Sequence, residues 1–249
     1  IYANVGHPVF PLPSIFDIHH GGFDNFMVVL DWIRRNVDKP SQILVAGSSA
    51  GGYGAQVNAP WVGEAFPKSK LAVLADASQG VLSSAFDTAN PGRNSWTPQF
   101  APKIFGDNPN DVPSSGIARI AANALPKARY AQFTTTFDAT QIQFFGVSLL
   151  TNAAPVACQT ANLAVNWNNA ALQSLRAAAE SARNYRYYVA AGTYHTILRS
   201  PDFYTEASAG TPFSDWFAAL VRQGDDDADS SQAWQNLACP NCLPPIPCP

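Results

Sequence analysis

Residues 43–55 read ILVAGSSAGGYGA: a short apolar run, a cluster of small residues, and then a segment suited to a helix. Residues 43–46 are long enough for a buried strand, and a helix is expected from about Ala50. Between them, Gly47-Ser48-Ser49-Ala50-Gly51 fits G-x-S-x-G. That pattern places a serine on a sharp strand-to-helix turn where its neighbours must be small. The following helix then points its N-terminus at the reacting carbon. The N–H of the residue after the serine, here Ala50, can donate to a developing oxyanion. Ser49 is therefore the expected nucleophile. A glycine-rich strand-to-helix loop without chemistry is the alternative.

Working outward, residues 24–36 (DNFMVVLDWIRRN) have helical spacing, with Phe26, Val29, Leu30 and Ile33 on one stripe and Asp24 as N-cap. Residues 71–75, 130–134 and 185–190 read as three further strands. Residues 140–149, 172–183 and 214–222 read as helices, the last capped by Ser214 with Gly224 past its end. Apolar strands alternating with helices argue for an α/β fold, a mainly parallel sheet covered on both faces. Residues 76–115 are rich in Pro, Gly, Asn and Ser with scattered aromatics, and are expected to form a long lid-like loop.

A serine nucleophile needs a base, normally histidine. Of His7, His19, His20 and His195, only His195 follows Ser49, in the loop after the 185–190 strand. The acid should follow the strand between them, which selects Asp138, just past 130–134. Asp76, one strand earlier, is the runner-up. Asp202 is too close to His195 along the chain. Ser48, Tyr53 and Tyr194, close in sequence to Ser49 and His195, and Trp96 in the long loop are the expected substrate contacts. His19-His20-Gly21-Gly22 looks like an HGG-type oxyanion motif, but only one helix and one strand fit between it and Ser49. It is read instead as shaping the entry to the first helix.

Composition narrows the rest. The 249 residues carry a net charge of −3, which points to neither nucleic acid nor an anionic membrane. No apolar run is long enough to span a bilayer. Charged residues are only 13 %, a balance common in exported enzymes, so a secreted or periplasmic location is expected. Of the four cysteines, Cys239, Cys242 and Cys248 lie in the last eleven residues and Cys158 is distant. Zinc would need four grouped ligands. Two disulfides pinning a proline-rich tail are expected instead, with Cys158 joined to a tail cysteine. The run 225–229 (DDDAD) lacks calcium-loop spacing and is read as a solvated acidic turn. No cofactor or metal is expected.

Four blocks together carry a resemblance: HHGGFDNFMVVLDWI (19–33), ILVAGSSAGGYGA (43–55), ARYAQFTTTFDATQIQFF (128–145) and YRYYVAAGTYHTILRSPDFY (185–204). In that order they resemble the pectin acetylesterase / Notum-like family over about residues 15–205. The resemblance implies an α/β-hydrolase fold, removal of short acyl groups from sugars or other alcohols, and a triad of Ser49, Asp138 and His195. Many members have Cys where this chain has Ser48, and the family's glycine-rich oxyanion loop has no match here.

The expected function is thus a carboxylic ester hydrolase working through an acyl-enzyme. The alternatives are a polyester hydrolase on the same triad, suggested by Trp96, Phe100 and Phe105 in the long loop, a peptidase or thioesterase, and a non-catalytic binding module. Residues 1–224 are read as the C-terminal part of the hydrolase domain and 225–249 as the acidic turn and Cys/Pro-rich tail. Only 48 residues precede Ser49, so a further N-terminal segment or companion chain of roughly 80–120 residues is expected to complete the sheet.

Overall fold

The computed structural model describes residues 2–3, 18–19, 21–88, 99–108, 111–149, 157–222, 233–239 and 242. The chain runs β1 (Tyr2–Ala3), β2 (Ile18–His19), α1 (Gly22–Asn36), β3 (Gln42–Ser48), α2 (Ala50–Ala65), β4 (Lys70–Asp76), α3 (Ser84–Thr88), α4 (Pro102–Phe105) and α5 (Ile117–Ala124). It continues through β5 (Arg129–Thr135), α6 (Ala139–Ser148), α7 (Ala157–Ser181), β6 (Tyr185–Ala190), α8 (Asp202–Thr205), β7 (Ala207–Ser208), β8 (Thr211–Pro212) and α9 (Phe213–Val221).

The centre is a four-stranded parallel sheet in the order β3-β4-β5-β6. Parallel strands covered on both faces read as continuous apolar runs, and β4, β5 and β6 are buried along nearly their whole length. One face carries Leu71, Val73, Tyr130, Tyr185 and Val189 against α2, α5 and α7. The other carries Leu74, Phe133 and Tyr188 against Phe213, Trp216 and Leu220 of α9. The fold is therefore α/β. β3 differs: its residues alternate between exposed and half-buried, and Leu44 is 40 % exposed. Among the described residues no strand pairs with its outer edge.

Several local expectations change. Helix α1 begins at Gly22 with Gly21 as N-cap, so Asp24 sits inside the first turn. Its buried side is Leu30 with Phe26 and Met27, while Val29 is 55 % exposed. Tertiary contact, not spacing alone, selects the stripe. Helix α7 starts at Ala157, well before residue 172, because Ala164, Trp167, Ala171, Leu175 and Ala178 extend one buried stripe. In α9 the N-cap is Pro212 and Ser214 lies within the helix. The expected loop 76–115 contains α3, α4 and a 3-10 turn at Ser114–Gly116. Phe105 is buried and packs on Phe100, with ring centroids 5.3 Å apart, so these two aromatics build core rather than a substrate surface.

Among the described residues, no helix is long and apolar enough to cross a membrane. Cys239 and Cys242 are joined in a disulfide. Trp96, Gly224, the 225–229 acidic run, His7, His20, Cys248 and the Cys158 side chain lie outside the described residues. With Cys239 and Cys242 paired, the expectation for the other two sharpens to a Cys158–Cys248 bond. Proteolysis without reduction and mass mapping should recover that cross-linked peptide; a free thiol on either residue would contradict it. A loop of this length, closed covalently, stabilises by about 3–5 kcal/mol in the chain-entropy account.

Candidate active site

All four strands run the same way, so their C-terminal ends share one edge, where open α/β sheets place their ligands. Ser49 follows β3, Asp76 ends β4, Asp138 lies three residues past β5, and His195 lies five past β6.

Ser49 has φ 56° and ψ −122°, a conformation that L residues rarely adopt. Such a residue costs about 1–3 kcal/mol and persists only where its surroundings over-determine it. Here its N–H donates to the Asp76 carbonyl at 2.8 Å, and its carbonyl accepts from the Gly52 N–H at 2.9 Å. A Cβ on Gly47 would lie 2.1 Å from the Gly51 carbonyl oxygen, and one on Gly52 would lie 2.2 Å from Ser78 Oγ. A Cβ on Gly51 would meet nothing within 4 Å. The turn thus needs Gly47 and Gly52, not the second glycine of the motif. Gly47→Ala is expected to destabilise by about 1–3 kcal/mol or more through forced backbone movement. Gly51→Ala should leave the thermal midpoint unchanged or raised, since alanine is the better helix former. Thermal unfolding of the two variants checks this, and equal losses would contradict it. Ala50 opens α2 directly after Ser49, so its N–H belongs to the first turn, which has no intrahelical acceptor.

His195 is held by Asp138. Its Nδ1 lies 3.0 Å from Oδ1 and 2.8 Å from Oδ2. Asp138 is fully buried and an ionised carboxylate only accepts, so Nδ1 donates to it, and in the neutral tautomer that fits this contact Nε2 holds the lone pair. Nε2 is buried and has no hydrogen-bond partner among the described residues. The Ser49 hydroxyl is not hydrogen-bonded to it.

Asp138 is also the side-chain N-cap of α6, accepting from the Gln141 N–H at 3.0 Å. The Gln141 amide reaches back to Asp138 Oδ2 at 3.0 Å and to Gln79 Oε1 at 2.7 Å. Gln141 was not singled out from the sequence. Its signal was there: Asp138-Ala139-Thr140-Gln141 has capping-box spacing. The Asp138 and His195 loops are further laced by Phe137 N–H to Gly192 O (3.1 Å), Ala139 N–H to Thr193 O (3.0 Å) and Thr135 Oγ1 to Tyr194 O (2.7 Å).

Asp76 does not touch the imidazole's Nδ1. Its buried carboxylate accepts from Ser48 Oγ at 2.6 Å, from the Ile197 N–H at 3.0 Å and from the Leu198 N–H at 3.1 Å. Burial pushes this carboxyl up from its ordinary value, and the three donors pull against that shift.

The expected substrate contacts fare differently. The Ser48 hydroxyl is committed to Asp76. The Tyr53 hydroxyl accepts from the Gly80 N–H at 3.0 Å, and burial pushes this phenol up to about 12. The Tyr194 hydroxyl donates to Glu206 Oε2 at 3.1 Å, and its ring packs against Phe133. The polar ends of all three are thus engaged within the protein.

A scan against protein-family models finds no match, and a search of curated proteins finds none either.

Proposed function

We propose that this chain is a secreted serine carboxylic ester hydrolase of the α/β-hydrolase type, with Ser49 as nucleophile, His195 as base and Asp138 as its orienting acid. The observation that carries this reading is the His195 ring. Its Nδ1 is seated on both oxygens of a fully buried carboxylate, and its Nε2 is buried without a partner among the described residues, on the sheet edge where Ser49 sits at a strained strand-to-helix turn. An Nε2 left unbonded in this way is available to take a proton from a nucleophile within reach.

In this reading Ser49 Oγ attacks the ester carbonyl carbon as its proton passes to His195 Nε2. The carbonyl oxygen takes the negative charge and accepts from the Ala50 N–H. Collapse breaks the bond to the alcohol, which leaves with the proton from Nε2. Water, deprotonated at Nε2, then attacks the acyl carbon; collapse breaks the bond to Oγ, which takes the proton back from Nε2, and the acid is released. The sequence resemblance favours a short acyl group such as acetate on a polysaccharide or another alcohol. The Cys239–Cys242 disulfide supports an oxidising compartment.

The test is a fluorophosphonate adduct mapped by mass spectrometry, beside turnover of p-nitrophenyl acetate and a peptide anilide. Labelling of Ser49 with ester turnover and no anilide turnover is expected. Neither labelling nor turnover would instead favour a non-catalytic binding module.

A further inference from the structure

We infer that Asp76 is a positioning residue that clamps the His195 loop onto the Ser49 turn, so that the distance between base and nucleophile is set by a second buried carboxylate. The inference rests on the triad proposed above.

Asp76 is bonded to both sides of the site by different parts of itself. Its carbonyl accepts the Ser49 N–H at 2.8 Å, and its carboxylate accepts the hydroxyl of Ser48, its register partner across the β3–β4 pair. The same carboxylate accepts the N–H groups of Ile197 and Leu198, two and three residues past His195. The residue between His195 and Ile197 is Thr196, whose φ is 68°. Among the described residues only four non-glycine residues have positive φ, and three of them, Ser49, Ala77 and Thr196, adjoin these contacts. A β-branched residue in that region is a genuine outlier, and it must be held there. The two amides that follow Thr196 converge on one carboxylate, which supplies that hold.

The chemistry does not consume Asp76. His195 Nδ1 already has Asp138, and Asp76 is fully buried. What Asp76 controls is where the imidazole stands. Misplacement of a catalytic group by about 1 Å can cost about 100-fold in rate without weakening substrate binding.

The experiment measures kcat and KM for p-nitrophenyl acetate, and the rate of fluorophosphonate inactivation, in Asp76→Ala, Asp76→Asn and Ser48→Ala. Near-UV circular dichroism gives the folded fraction of each. Asp76→Ala should lose about 100-fold in kcat and in labelling rate per folded molecule, with KM within about 2-fold. Asp76→Asn with its amide oxygen in the Oδ2 place still accepts from Ser48, Ile197 and Leu198, and only the second contact to the Ile197 N–H, at Oδ1, is lost to the NH₂, so it should recover to within about 10-fold of wild type. A kcat for Asp76→Ala that falls only with the folded fraction would overturn the inference. If Asp76→Ala does not fold, Ser48→Ala decides. A loss of about 3- to 10-fold in kcat at unchanged KM supports the clamp, and wild-type kcat overturns it. Wild-type protein that neither labels nor turns over ester would overturn the triad itself; an active wild type with indifferent variants would overturn only the clamp.

Discussion

Ser49→Ala should leave a folded protein that hydrolyses a short-acyl ester at least about a thousandfold more slowly, since loss of a triad member removes most of the catalysis that its partners supply. The fold should survive because the hydroxyl holds nothing in place: among the described residues Ser49 makes only main-chain hydrogen bonds. The strained turn is set by Gly47, Gly52 and the Asp76 carbonyl, and alanine meets the same φ at the same cost. Thermal midpoint and circular dichroism should therefore match wild type while the fluorophosphonate adduct disappears. Retention of more than about a tenth of the activity would remove Ser49 from the role.

Asp138→Asn should lower kcat by about 10⁴-fold, the loss expected when an imidazole is held in the wrong tautomer. Asp138 accepts from His195 Nδ1, the Gln141 N–H and the Gln141 amide at once. An asparagine offers one oxygen and one NH₂ to three donors. If the NH₂ faces His195, Nδ1 becomes an acceptor, the proton moves to Nε2, and the ring can no longer take the Ser49 proton. If it faces Gln141, two donors oppose each other in a buried site, at about 1–3 kcal/mol. Asparagine is itself a good N-cap, so α6 should persist. Activity and thermal unfolding measured together check this. An Asp138→Asn enzyme with near-wild-type kcat, beside an Asp76→Asn enzyme without activity, would exchange the two acids.

How much of this was legible follows from the range of each signal. The central strands carry unequal evidence: a doubly covered parallel strand reads as a continuous apolar run, as 71–75 does, whereas β5 and β6 are buried despite Arg, Gln and Thr residues among their apolar ones. Helix α5 was missed because its buried side is Ile117, Ala118, Ala121 and Ala122, and alanine marks a core face weakly. The first fifteen residues of α7 were missed because asparagines interrupt a stripe that only packing against its neighbours completes.

The sequence by itself determined that Ser49 stands on a glycine-lined strand-to-helix turn, because turn chemistry is local and steric. It also limited the proposed base to His195, the sole histidine after Ser49, and left two aspartates as candidate acids, each at or just past the end of a strand. Only the tertiary structure shows which of them meets the imidazole. Asp138 lies 57 residues from His195, and Asp76 lies 121 residues from Ile197, separations along which no local pattern acts. Parallel pairing of β4, β5 and β6 brings both carboxylates to one edge of the sheet. The hydrogen bonds that lace the Asp138 loop to the His195 loop then give the imidazole to Asp138, leaving Asp76 the backbone beyond it.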